Sequence, residues 1–103
     1  MANSWDKGGD TLTKKKINVS EPRKYRVLLI NDHYTTQDFV VLILEQVFNK
    51  NPDEAKSLML DVHTKGSAQV GIYPKEVAEM KVAIVHHVAR QNQFPLKCHM
   101  EPV

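Results

Sequence analysis

Asn31, Asp32 and His33 stand side by side in the stretch "LLINDHYTTQDF", residues 28–39. An amide, a carboxylate and an imidazole are thus delivered by a run of aliphatic residues to the mouth of what must be a core. Where a strand runs into a helix start, the scaffold holds ligand-directed groups still. Asn-Asp is also ordinary turn chemistry, and alone the stretch reads as a turn with a helix cap behind it. His63 shifts that balance. It lies one turn after Met59 on a second helical pattern, at the edge of its apolar stripe. Helices joined by a short connection pack antiparallel, which carries His63 towards the start of the first helix, where Asn31 and Asp32 wait.

An enzyme would use Asp32, His33 and His63 as acid–base groups or metal ligands. No Gly-rich phosphate loop, HExxH pattern or second cysteine accompanies them. His86 and His87 are adjacent and cannot share one helix face. Cys98 and His99 alternate along a strand pattern, so they point to opposite sides and cannot act as nucleophile and base. Cys98 reads as a core residue, and neither enzymatic activity, cofactor nor metal is expected.

The elements that must position these residues fit within one domain. A chain of 103 residues buries about 60 to 70% of its unfolded surface, enough for a modest core and a shallow pocket. With 14 basic and 12 acidic residues the charge is too balanced for a nucleic-acid partner, and Lys14-Lys15-Lys16 reads as a solvated run. One cysteine forbids an internal disulfide, and no stretch approaches the roughly 20 apolar residues of a membrane span. A monomer in a reducing, cytoplasmic compartment is the expectation. Residues 1–22 are polar apart from Trp5 and a few aliphatics, and read as a flexible arm ahead of a core domain over 23–103.

Within the core, "KYRVLLI" is a strand, either covered on both faces or central in its sheet. Thr35, with Asp38 three residues on, predicts a capped helix through "TQDFVVLILEQVFNK". Its Phe39, Ile43 and Val47 line one ridge, with Val40, Leu44 and Phe48 beside it. Asn51 and Pro52 open a second helix with Ala55, Leu58, Met59 and Val62 inward, and Gly66 ends it. Ala68, Val70 and Ile72 alternate as one face of a strand. Pro74 opens a third helix with Val77, Ala78, Val82, Val85 and Ala89 inward, and "LKCHM" closes as a short strand. Helices this amphipathic must cover a sheet, which predicts an α+β sandwich, strand-helix-helix-strand-helix-strand, on a mainly antiparallel three-stranded sheet.

The segments "YRVLLINDHYTTQDFV", "LMLDVHTKG", "VGIYPKEVAEMKVAIV" and "PLKCHMEPV" together resemble the ClpS family, adaptors that hand proteins with destabilising N-terminal residues to a ClpA-type AAA+ unfoldase. The likeness spans residues 23 to 103, with several motifs in the same order and spacing. It implies that Asn31, Asp32 and His63 hold a substrate's α-amino group, and that Thr35, Gln37, Val40, Met59, Val62 and Leu96 line a slot for its first side chain. It further implies docking on the unfoldase through Glu76, Glu79 and Lys81, and use of the arm for delivery. Family members commonly carry Asp where His33 stands and Met where Gln37 stands. The rival reading is a plain interaction domain, because ribosomal stalk proteins end in a domain of similar element order.

The physics of such a site is coherent without the family. An α-amino group is a cation below its pKa of about 8 and has three donors, so it needs acceptors and negative charge. An internal peptide bond lacks the positive charge and the extra donors. Burying a Leu or Phe contributes about 1.5 to 3 kcal/mol, and each hydrogen bond to a charged group contributes about as much. Micromolar binding is then within reach only for a pocket that is already formed.

Overall fold

The computed structural model describes residues 22–103. Apart from Pro22, the predicted arm, with Trp5 and the lysine run, lies outside the described residues. The elements follow as β1 (Lys24–Ile30), α1 (Gln37–Gln46), α2 (Pro52–Lys65), β2 (Ser67–Pro74), α3 (Lys75–Gln91) and β3 (Lys97–Pro102). The strands lie in the order β2-β1-β3, and both pairings are antiparallel. β1 is therefore central, as its apolar character predicts. Only one of its faces is fully covered, however: Val27 and Leu29 are buried, while Arg26, Leu28 and Ile30 alternate with them as half-buried residues.

The first helix begins one residue later than its predicted cap. Thr36, not Thr35, sits at the N-cap and accepts a hydrogen bond from the Phe39 N–H at 3.1 Å. The Thr35 hydroxyl instead points into the preceding turn, where it donates to Asp32. The helix also stops at Gln46, short of the predicted Lys50. Asn49 turns left-handed at φ 56°, and the Lys50 N–H reaches back to the Leu44 carbonyl at 3.0 Å. Lys81 of α3 supplies the missing charge at this end. Its Nζ donates to the Val47 carbonyl at 2.7 Å, where a cation is favoured by the helix dipole. The second helix follows its prediction: Asn51 accepts from the Glu54 N–H at 2.8 Å, and Gly66 closes the helix at φ 93°.

The predicted alternation of Ala68, Val70 and Ile72 fails at its last member. Gln69 faces Leu28 and Gly71 faces Val27, which leaves Val70 as an extra residue in β2. Beyond that bulge the strand's faces exchange. Ile72 turns outward, 47% exposed, and Tyr73 packs against the core instead. Gly71 permits this, because a Cβ there would run into the Tyr73 ring.

β3 is an edge strand, and one of its outward N–H groups is covered by a side chain. The Cys98 N–H donates to His86 Nε2 at 3.0 Å, joining α3 to the sheet edge. Burial first, then the positive charges of Arg90 and Lys97, hold the His86 pKa below its ordinary 6.5. Burial likewise pushes the Cys98 thiol up to about 12, leaving an inert core residue. A protonated His86 cannot accept the Cys98 N–H. Since the unfolded chain binds that proton at higher pH than the native one, this contribution to stability is complete above the ordinary histidine pKa and is lost as pH falls through the lowered native value. Urea midpoints of the wild-type protein should drop on acidification from about pH 7 to 5 more steeply than those of His86→Gln, which keeps an acceptor without titrating. Equal slopes for the two proteins would remove this role for His86.

Candidate functional site

The turn between β1 and α1 is shaped by one carboxylate. Asp32 Oδ1 accepts from the N–H groups of Tyr34 and Thr35, both at 2.7 Å, and its Oδ2 accepts from the Thr35 hydroxyl at 2.7 Å. Burial would raise the Asp32 pKa, but the Thr35 and Tyr34 hydrogen bonds, with His33 nearby, outweigh it and hold the carboxyl below its ordinary 3.8. The group is a fixed negative charge at neutral pH. The Asn31 N–H donates to the Gly66 carbonyl at 2.9 Å and so ties the end of β1 to the end of α2. That bond brings together two stretches that are 35 residues apart in sequence (66 − 31).

Between this turn, the start of α1 and the second half of α2 lies a cavity of about 200 Å³. Its polar side carries Asn31, Asp32 and His63, and its apolar wall is Val40, Met59 and Val62, with Thr35 and Gln37 at the α1 side. Eight of the nine residues assigned to amine and slot thus meet in one hollow. Leu96 does not. It is 3% exposed, and it faces a separate hollow beside β3 and α3. The ninth residue lining the cavity is His33, where family members commonly carry Asp. Its place in the Asn31-Asp32-His33 run was the available signal.

The separate hollow is larger, about 690 Å³, and is lined by Ile30, Phe94 and Leu96 with Arg90 and Lys97. No carboxylate among the described residues lines it, so none of them would neutralise an ammonium group there. The smaller cavity is where donor, acceptor and apolar wall converge. Among the described residues no group of His, Cys, Asp and Glu is placed to hold a metal ion, and no helix is long and apolar enough to cross a membrane.

The residues expected to dock on a partner are divided by the fold. Glu76 and Glu79 are exposed on the first turns of α3. Lys81 is turned inward, with its ammonium 5.7 Å from the Phe48 ring centre and 5.1 Å from that of Tyr73, besides its bond to Val47. Part of its function is therefore to join α3 to the end of α1.

A family model described as the ATP-dependent Clp protease adaptor protein ClpS matches residues 20–99. The chain belongs to the ClpS adaptor family. It is 53% identical over 98 residues to the Clp protease adapter ClpS of Nitratidesulfovibrio vulgaris, covering 95% of this chain and 98% of that one. A ClpS of Syntrophus aciditrophicus is 54% identical over 85 residues, covering 82% of this chain and 79% of that one. The solved structure of Agrobacterium tumefaciens ClpS2 bound to L-phenylalaninamide matches with a TM-score of 0.78 and 34% identity, covering 81% of this chain and 100% of that one. As a ClpS protein the chain is an adaptor of a Clp protease rather than an enzyme, and the three-helix, three-stranded antiparallel fold is that of the family.

Proposed function

We propose that this ClpS protein captures polypeptides whose free N-terminus begins with Leu, Phe, Tyr or Trp and delivers them to a ClpA-like AAA+ unfoldase. The observation that carries this reading is the convergence of Asn31, Asp32 and His63 on a cavity walled by Val40, Met59 and Val62. In the ClpS2 relative, L-phenylalaninamide offers a free α-amino group, an aromatic side chain, and an amide that stands in for the first peptide bond of a substrate. Those three features match the negative charge, the apolar wall and the open mouth of the cavity. Asp32 faces the ammonium, the Asn31 amide and the His63 ring supply further acceptors, and the apolar wall sorts the first side chain by size.

On this reading Glu76 and Glu79 form the exposed part of the unfoldase dock. Lys81 sets the pose of α3, and the arm over residues 1–22 engages the unfoldase during delivery. The adaptor acts as a cytoplasmic monomer.

The test is fluorescence anisotropy with peptides that differ only in their first residue. Leu-, Phe-, Tyr- and Trp-first peptides should bind at least about tenfold more tightly than an Ala-first peptide, the ratio expected from burying one large apolar side chain. Equal affinity across the series would remove the proposal. Delivery is checked by degradation of a Phe-first reporter by a ClpA-type unfoldase and its protease, which should depend on this chain.

A further inference from the structure

We infer that His33 reads the second residue of the substrate and favours an acidic side chain there over a basic one. The inference rests on the amine-binding reading above, and it concerns a part of the cavity that this reading leaves unused. Of the nine lining residues, three face the amine and five form the slot, which leaves His33. A hollow of about 200 Å³ accommodates one bulky side chain, not two residues. The second Cα follows the first by about 3.8 Å, so the second residue must sit at the rim.

At that rim His33 is exposed, and its ring makes no hydrogen bond among the described residues. Its backbone is nonetheless held, because Asp32 just before it grips Tyr34 and Thr35 just after it. An imidazole presented in this way loses little freedom on binding.

Charge sets the direction of the preference. Among the described residues Asp32 is the only carboxylate lining the cavity, and three of its acceptor sites are already taken by Tyr34 and Thr35. Once its charge is matched by the substrate's ammonium, the remaining ionisable groups at the mouth are two imidazoles, His33 and His63. A carboxylate on the second residue accepts a ring N–H from His33 and brings a negative charge beside the α-ammonium, whereas a basic residue there adds a second positive charge next to it. The competing exit has the opposite character. Over Gln37 and Met59 the cavity adjoins a groove between α1 and α2 that carries Asp38, Glu45 and Asp53 against Lys56. A substrate leaving that way would favour a basic residue. None of those four lines the cavity itself, so among its lining residues His33 is the ionisable side chain left for the second position once Asp32 and His63 engage the amine.

The test uses Phe-first peptides with Glu, Ala or Lys second, each free and N-acetylated, on the wild-type protein, His33→Gln and His33→Asp. Affinities are divided by that of the Ala-second peptide on the same protein, so any change common to all peptides cancels. Wild-type protein should bind the Glu peptide about three- to tenfold more tightly than the Lys peptide, the worth of one hydrogen bond to a charged group at a solvated rim. His33→Gln should shrink that ratio towards one, and His33→Asp should invert it. A ratio unchanged by either substitution, or a preference for Lys in the wild-type protein, overturns the inference and points to the α1–α2 groove. Binding that is equal for free and acetylated peptides would instead overturn the amine-binding reading itself, and this inference with it.

Discussion

N-acetylation of a Phe-first peptide is expected to weaken its binding by about 100-fold or more. The modification removes the positive charge and leaves one N–H donor of three. Two lost hydrogen bonds to a charged group, at about 1.5 to 3 kcal/mol each, amount to at least about 3 kcal/mol, or two decades of affinity. The partner of that charge can be identified separately. Asp32→Asn keeps an oxygen that can accept from the Tyr34 and Thr35 N–H groups, and its amide can donate to the Thr35 hydroxyl, so the turn persists. What disappears is the negative charge. The free peptide should then bind about tenfold more weakly to the variant, while the acetylated peptide, which carries no charge for Asp32 to meet, should bind both proteins alike. The pH profile follows from the same two groups. Affinity should decline above about pH 8 as the amine loses its proton. Asp32 imposes no loss on mild acidification, because its pKa is lowered: its contribution, to the turn and to binding alike, is present above the ordinary carboxylate value and vanishes only as pH falls through the depressed native one. Free and acetylated peptides of equal affinity would rule out amine recognition whatever the pH profile.

The turn and helix ends that frame this site can be read from residue types and spacing, because signals at element ends are local; the slot residues follow only from the family resemblance. Asn51 before Pro52, and Gly66 after the apolar stripe of α2, define that helix from the chain alone, and the structure places both at its caps. The convergence of His63 with Asn31 and Asp32 needed one tertiary assumption, antiparallel packing of two helices joined by a short loop. The Asn31 to Gly66 hydrogen bond is the link that realises it. What escaped were contacts between residues distant in sequence. The local pattern suits either Thr35 or Thr36 as the helix cap and does not reveal that Asp32 draws the Thr35 hydroxyl into the preceding turn. Motif position implies Leu96 in the slot, whereas in three dimensions it is buried facing another hollow. Lys81 looked like part of a charged surface because its bond to Val47 crosses 34 residues. Ile72 was placed inward because a β-bulge leaves no mark in an alternating pattern other than a neighbouring glycine, here Gly71.

That glycine should be a sensitive position of β2. In Gly71→Ala the new methyl would overlap the Tyr73 ring, with ring carbons 2.6 Å from the Cβ position. Displacing Tyr73 disturbs two contacts, since its ring centre lies 6.4 Å from that of Phe48 and 5.1 Å from the Lys81 ammonium. Because the same ammonium satisfies the Val47 carbonyl, displacing Tyr73 disturbs the end of α1 through a side chain of α3. Overpacking of this kind costs about 1 to 3 kcal/mol, which for a domain of this size lowers Tm by roughly 4 to 8 °C per kcal/mol. Tyr73→Leu removes the obstacle, so its combination with Gly71→Ala should be less destabilising than the sum of the two single changes. Strict additivity would show that the ring is not what the methyl meets. Neither residue lines the amine cavity, so the folded fraction of Gly71→Ala should still distinguish a Phe-first peptide from its acetylated form. Loss of stability with discrimination intact would separate what the bulge does for the sheet from what the turn at Asp32 does for recognition.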